Sequence, residues 1–492
     1  VKRVENTVGK TGLSPDLSGV KRGPIVASLI IGAFVSILNE TLLNIAFPDI
    51  MKEFGIAENS VQWLATVYML VIGVLVPVTA LLQQWFSTRQ MFLTAMSFFL
   101  VGTVVCGLAP SFAVLLVGRI IQALGTGLLI PVLMNTILII FPPEKRGAAM
   151  GMIGLVIMTG PAIGPTLSGL IVDSLDWRWL FYLVVPLALF SVIFAAIYLR
   201  NVSHLTKPRV DVLSIILSTI GFGGIVYGFS NTAKYNWSSP EVYSFLIVGG
   251  IALVLFVWRQ LVMKEPLLEL RVFKYPMFSL TAVLLLIMMM SLFSMNILVP
   301  LYLQNAIMLS AFSAGLILLP GGVLNGLMSP ITGLLFDKFG PRVLVPTGLV
   351  IVCIAIYLFS GLDANTSSGT IIAMHIIMVI GIAMVMMPAQ TTGLNQLPSH
   401  LYPHGTAVLN TLQQVSGAIG TALFVSIMSS SAKSYLAQSA NPMAPEEAVN
   451  GLVQGVQTSF TVALVFGFAA LVCGFFLKRT KAPEGNPQIS MH

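Results

Sequence analysis

An all-helical, polytopic membrane fold of about fourteen spans is what this sequence predicts, and two observations carry the prediction. The first is composition: of 492 residues, 56% are hydrophobic and 9% charged, too few charges to clothe a soluble surface of that size. The second is arrangement, because apolar stretches of about 20 residues, the length that crosses a hydrocarbon core, recur between polar connections. They fall near 25–47, 61–84, 90–109, 111–134, 148–172, 179–199, 212–230, 242–258, 277–301, 313–336, 343–361, 370–393, 405–430 and 458–477. The 43 glycines and 24 methionines suit helices packed closely in lipid, where small residues let backbones approach and thioethers fill irregular gaps.

Residues 1–24 are polar and mildly basic. The apolar stretch behind them is too long for a signal-peptide core and has no clear cleavage site, so it is expected to remain as the first span. With that end inside the cell, 20 of the 25 Lys and Arg lie on the inner side, Arg119 is in the membrane, and only Lys52, Arg178, Lys234 and Lys433 lie outside. The positive-inside rule expects this of an even number of spans with both termini cytoplasmic. The formal charge of +7 is scattered in short runs with no aromatic-studded basic face, so nucleic acid is not an expected partner. Cys106, Cys353 and Cys473 lie in separate apolar stretches without metal-ligand spacing, which leaves them as packing residues and gives no metal or cofactor to expect.

A repeat organises the spans. The connection after span two, Thr79-Ala-Leu-Leu-Gln-Gln-Trp-Phe-Ser-Thr-Arg89, matches that after span ten, Thr332-Gly-Leu-Leu-Phe-Asp-Lys-Phe-Gly-Pro-Arg342, at five of eleven positions. A weaker echo pairs Ala162-Ile-Gly164 with Ala418-Ile-Gly420. Two parallel six-span halves follow, separated by two extra central spans. The expected divisions are a cytoplasmic segment 1–24, a first half 25–200, a linker with two spans 201–275, a second half 276–478 and a cytoplasmic tail 479–492. Parallel halves of this kind belong to one large transporter class, with the substrate site at the midplane between them.

Once the charged residues are assigned to loops and span ends, Glu40 and Arg119 remain deep in the membrane. Counting 1.5 Å per residue from the outer ends of spans one and four puts both roughly 10 to 12 Å below the outer surface, at depths where they can meet. An ionisable group in hydrocarbon is costly unless paired or facing water. The two residues read either as a structural ion pair or as a carboxylate that exchanges a proton or binds a cation beside a guanidinium, and these readings are compatible. His375 in span twelve is placed near the outer end, where it can be solvated. Asp211 begins span seven, where an acid suits a helix N-terminus. Residues 431–457 form a long outer segment, in which Pro445-Glu-Glu447 is expected to open a short helix.

Several motifs together resemble the fourteen-span drug:proton antiporters of the major facilitator superfamily, the EmrB/QacA type, over essentially the whole chain. Span one reads Leu38-Asn-Glu-Thr-Leu-Leu-Asn-Ile-Ala-Phe-Pro48, similar to the family's Leu-Asp-x-Thr-Ile-Val-Asn-Val-Ala-Leu-Pro. Span four carries Arg119-Ile-Ile-Gln122-Ala-Leu-Gly125, matching Arg-x-x-Gln-Ala-x-Gly. Span five has Gly160-Pro161-Ala-Ile-Gly164-Pro165-Thr-Leu-Ser-Gly169, followed by Asp176-Trp-Arg-Trp179, similar to the antiporter motif. In two places the chain departs from the pattern. The family aspartate position holds Asn39, with the acid one residue later at Glu40, and the acidic position after span two is Gln84, whereas the second half keeps Asp337, Gly340 and Arg342.

The resemblance implies a major facilitator fold and proton-coupled export of hydrophobic or cationic small molecules, including antibiotics, from the bacterial cytoplasmic membrane by a monomer. It implies proton coupling through Glu40 and Arg119 with Asn39 beside them. Glu40, Asn44 and Gln122 are candidates for the substrate cavity. It further implies a hinge at Gly160, Pro161, Gly164, Pro165 and Gly169, and a cytoplasmic latch involving Gln84, Arg89, Asp337, Gly340 and Arg342. No nucleotide-binding loop is present, so a gradient would drive uphill transport. The alternatives are an exporter of an endogenous amphiphile, such as a lipid precursor, peptide or metabolite, and a membrane protein that transports nothing. An intramembrane enzyme finds no support in the catalytic motifs.

Overall fold

The computed structural model describes residues 22–480 except 57, 203, 204, 207, 209, 234–236, 440, 442 and 443, and leaves the side chains of Asn44, Pro161 and Pro165, among others, undescribed. Among the described residues there are fourteen helices of 19 residues or more. They are α1 (Arg22–Leu42), α2 (Trp63–Trp85), α3 (Thr88–Gly107), α4 (Phe112–Ile140), α5 (Arg146–Ser174), α6 (Trp179–Tyr198) and α7 (Val212–Ser230). The series continues with α8 (Pro240–Val262), α9 (Pro276–Asn305), α10 (Ala311–Phe339), α11 (Pro341–Phe359), α12 (Ser368–Asn395), α13 (Tyr402–Gln438) and α14 (Pro445–Phe475). Thirteen are long and apolar enough to cross a membrane, and α5, at 29 residues, completes the set.

Local chemistry sets many of the helix ends. Ser87 and Gln90 form a capping box at α3, and Ser310 and Ser367 accept from backbone N–H groups at the starts of α10 and α12, satisfying donors that a helix N-terminus leaves open. Gly340, at φ 75°, lets the chain turn sharply from α10 into α11, a backbone geometry that a side chain resists. Helix α1 is shorter than the span expected at 25–47. It gives way at Leu43–Ala46 to a 3-10 turn and then to a short helix, Phe47–Phe54. Pro48 has no N–H to continue the α-helical ladder there.

The segment 431–457 differs from the expected loop with a short helix. Helix α13 runs on to Gln438, and Pro445 opens α14 itself, which continues unbroken to Phe475. The proline is at the first helical turn, where its missing N–H costs nothing, and no breaker follows.

Arg22 stacks over Phe141, and Arg479 donates to the carbonyl of Asp337, so α1 begins and α14 finishes at one end of the bundle, the near end; the other is the far end. Helices α1, α3, α4, α5 and α6 with α2 form one six-helix half, and α9 to α14 the other. The inserted pair α7–α8 packs together, and α7 lies against both α2 and α13, across the line where the halves meet.

The halves touch chiefly through α5 and α10, which run antiparallel along the seam. Glycines let the two backbones close up. A Cβ on Gly151 would come within 2.5 Å of the Ser329 carbonyl, Gly147 and Gly333 face each other, and Gly326 receives Thr159. Such small-residue seams are how membrane helices gain packing without a hydrophobic drive. The seam is reinforced by α2 against α13 and by α4 and α5 against α13 and α12, whereas α1 and α9 make no comparable contact among the described residues.

Candidate functional site

Arg119 is 1% exposed in the middle of the first half, and its guanidinium is held by neutral groups. Nη1 donates to Asn39 Oδ1 at 3.2 Å and to Gln122 Oε1 at 3.0 Å, and Nε donates to the Leu64 carbonyl at 3.4 Å. The Tyr68 ring lies under the guanidinium carbon at 3.9 Å, adding cation–π attraction in a desolvated setting. The partners are themselves held: Gln122 Nε2 donates to Thr103 Oγ1 at 2.8 Å, and the hydroxyls of Tyr68 and Thr126 are 2.7 Å apart. The result is a polar network joining α1, α2, α3 and α4 around one buried cation.

Direct contact between Glu40 and Arg119, expected from their depths, is not what forms. Among the described residues no ion pair joins them, and Asn39, one position earlier, takes the contact with Arg119. One residue turns a side chain by about 100°, so both cannot face α4. Glu40 is half-buried and makes no hydrogen bond among the described residues, although Arg119 and Tyr68 are within its electrostatic range.

The glycines of span five support this site from the side. A Cβ at Gly160 would strike Ile37, 2.7 Å from its Cγ2, and one at Gly164 would overlap the Thr41 hydroxyl. Ser168 donates to the Leu42 carbonyl at 2.6 Å. Helix α5 therefore packs one side against α1 next to Glu40 and another against α10 of the opposite half. Gly169 faces Phe312 across the seam. Pro161, Pro165 and Asn44 have side chains outside those described, so their expected roles gain no contacts.

At the near end the halves are fastened. The Asp337 carboxylate accepts from the backbone N–H groups of Gly147 at 2.8 Å and Ala148 at 2.9 Å, placing negative charge at the positive end of α5. Gln84, at the matching position of the first half, reaches His404 at the start of α13, with amide and ring nitrogens 3.2 Å apart, while Glu269 N–H donates to His404 Nδ1 at 3.1 Å. The two latches correspond in place and differ in chemistry, one charged and one neutral. Arg342 is exposed, with no partner among the described residues, and Arg89 donates to the Ala196 carbonyl within its own half. Neither bridges the halves.

Three contacts in the seal had no motif to announce them. Arg146, 3% exposed, donates to Asn395 Oδ1 at 2.8 Å across the seam and lies 5.0 Å from the Tyr402 ring. Met134 receives the amides of Gln390 at 3.7 Å and Asn410 at 3.5 Å. Sequence separations of 249, 256 and 276 residues hide such pairs from any local pattern. A pattern of buried polar residues on apolar helices was the available signal.

Two further expectations change. His375 is 6% exposed rather than solvated, and its Nδ1 abuts Gly321 without a hydrogen-bond partner. Asp211 stands at the N-cap of α7, but its side chain makes no N-capping bond; it pairs with Arg259 of α8 at 2.7 and 2.9 Å instead. That bonding pushes the Asp211 carboxyl down to about 2. At the far end, Arg178 grips Glu53 through two bonds of 2.6 and 2.9 Å, and Trp177 adds a third at 2.6 Å. Hydrogen bonding to Arg178 holds the Glu53 carboxyl below its ordinary value.

Comparison with known proteins places this architecture. The chain is 53% identical over 458 residues to the lincomycin resistance protein LmrB of Listeria monocytogenes, covering 93% of this chain and 97% of that one. It is 53% identical over 460 residues to the protein of the same name from Bacillus subtilis (93% and 96% covered), and 26% identical over 412 residues to the multidrug export protein EmrB of Haemophilus influenzae (83% and 81% covered). In fold it is similar to the crystal structure of the human organic anion transporter MFSD10, with a TM-score of 0.66 at 13% identity, covering 92% of this chain and 99% of that chain. Residues 29–421 match the model of the Major Facilitator Superfamily, and the chain belongs to that family of membrane transporters.

Proposed function

We propose that this protein is a proton-coupled exporter of hydrophobic or cationic small molecules, lincomycin among them, acting by alternating access in a bacterial cytoplasmic membrane. The near end is the cytoplasmic end and carries both termini, in keeping with the excess of Lys and Arg there. The protein works as a monomer, with its halves at 25–200 and 276–478 rocking about the seam and residues 201–275 bridging them. The observation that carries the reading is the division of labour at the buried charges. Arg119 is satisfied by Asn39, Gln122 and Leu64, which leaves the partly exposed Glu40 carboxylate without a hydrogen bond or ion pair among the described residues.

Protonation of Glu40 is then a change of one full charge in a site of low dielectric, where it weighs most. With the near end sealed, a proton reaching Glu40 from the far side neutralises it and releases a cationic or polar cargo held there. The neutral site can cross to the near-open state, give up the proton to the cytoplasm and reload. Arg119 is the fixed charge against which the change is felt. The glycine contacts of α5 with Ile37 and Thr41 tie the helix bearing Glu40 to the helix that forms the seam.

Everted membrane vesicles containing the protein test this reading. An imposed pH gradient, acid inside, should drive ethidium and lincomycin inward against their gradients, and a protonophore should stop it. Accumulation that ignores the gradient would remove proton coupling. Export of an endogenous amphiphile uses the same machinery, and a panel of antibiotics and lipophilic cations separates the two: a dedicated exporter confers resistance to few of them.

A further inference from the structure

Four of the buried polar groups at the near end are carboxamides, and they are poorly satisfied. Gln390 is 2% exposed, and its one hydrogen bond among the described residues goes to the Met134 thioether, a weak acceptor. Asn410 spends one amide hydrogen on the same sulfur and the other on the Thr406 carbonyl at 2.8 Å. In the first half, Gln83 and Asn135, each 5% exposed, border a small crevice with Thr136, Phe86, Met91 and Val132. Among the described residues, both amide atoms of Gln83 and the carbonyl oxygen of Asn135 have no hydrogen-bond partner. Buried polar atoms are nearly always paired, so such a concentration calls for a cause.

We infer that Gln390 and Asn410 form a loading site for cargo at the cytoplasmic end, one that recognises neutral hydroxyl, amide and carbonyl groups rather than charge. The inference rests on the exporter reading and adds a substrate class to it. Met134 separates the amides of the second half from the first while the near end is sealed. When α4 draws away from α12 and α13, the sulfur leaves with it, and Gln390 and Asn410 face the opening with free donors and acceptors.

Position agrees with this role. Gln390 and Asn410 are five and eight residues from the near ends of their helices, Asn395 and Tyr402, or roughly 8 to 12 Å deep at 1.5 Å per residue. Glu40 is toward the opposite end of its helix, two residues before Leu42. Cargo and proton thus have separate first contacts. The charged group in the same layer, Arg146, is committed to Asn395 and the Leu138 and Phe141 carbonyls. A carboxamide offers donor and acceptor together, which suits a hydroxyl- and amide-bearing amphiphile and gives no selection between a cation and a neutral molecule.

Equilibrium binding to the purified full chain tests the site without any gradient, using radiolabelled lincomycin, which bears hydroxyls and an amide, and ethidium, whose hydrogen-bonding groups are few. Replacing Gln390→Leu and Asn410→Leu together should raise the lincomycin Kd about tenfold and leave ethidium within about twofold, as expected when hydrogen bonds are lost at constant apolar surface. The amide-keeping pair Gln390→Asn and Asn410→Gln should hold lincomycin within about threefold of wild type. An equal rise in Kd for both ligands in the apolar pair, no shift for lincomycin in that pair, or a lincomycin rise in the amide-keeping pair as large as in the apolar pair overturns the site. Failure of proton coupling leaves this readout untouched, and a protein that exports ethidium on a gradient while failing the binding test loses the site alone.

Discussion

Arg119 carries five N–H donors and can accept nothing, so its burial at 1% exposure has to be repaid by acceptors, and Asn39, Gln122 and Leu64 supply them. Replacing Arg119 with Leu strands the oxygens of Asn39 and Gln122 at about 1–3 kcal/mol each, and the purified protein should melt several degrees lower. Arg119→Lys keeps the charge but loses the planar fork and the stacking on Tyr68; its melting temperature should fall between the two, as scanning fluorimetry can read. The motifs made these residues legible: Arg119, Gln122 and the Asn39–Glu40 substitution stand out in the bare sequence. Which of the two neighbours on α1 meets the arginine was open to it only as a question of helical phase. The structure answers in favour of Asn39, leaving Glu40 as the free carboxylate.

Helix α5 shows at the scale of an element why glycines recur in the antiporter motif. Gly160 and Gly164 seat it on α1, and Gly147, Gly151 and Gly154 seat it on α10, so one helix touches both the helix bearing Asn39 and Glu40 and the opposite half. Gly151→Val would drive a side chain into the Ser329 carbonyl and cost about 1–3 kcal/mol in the sealed state. A cysteine placed at Leu138, fully buried at the near end, should then react faster with a maleimide from the cytoplasmic side. Asp337→Asn weakens a charged contact at the α5 N-terminus by about 0.3–1 kcal/mol and should shift the same labelling in the same direction, by two- to fivefold in rate. The clamps outside the membrane respond to acid. Glu53 and Asp211 are held below unfolded values of about 4.3 and 3.9, so their stabilisation is present above those values and fades as pH falls through the lowered ones. The stability lost on replacing Glu53→Gln or Asp211→Asn, read as a difference in melting temperature from the unsubstituted protein, should therefore be constant from about pH 7 to 5 and shrink below about pH 4, with the Asp211–Arg259 share persisting to about pH 2.

For the whole molecule, fourteen spans in two halves with an inserted pair could be read from hydrophobic length, the distribution of Lys and Arg, and one repeated loop. Each of these is a property of contiguous residues, which is why they survive in the bare sequence. The seal is different. Arg146 with Asn395, Met134 with Gln390 and Asn410, and Gln84 with His404 join residues that only the packing of the two halves brings together. The segment after residue 430 was misjudged because polarity marks water exposure and not the end of a helix. The account as a whole turns on a carboxylate left free by its neighbour's hold on Arg119. Its most direct test is transport by Glu40→Gln in everted vesicles, measured both as pH-driven accumulation of ethidium and as gradient-free exchange of labelled for unlabelled substrate. Loss of accumulation with exchange retained is the predicted result. Undiminished pH-driven accumulation would contradict it.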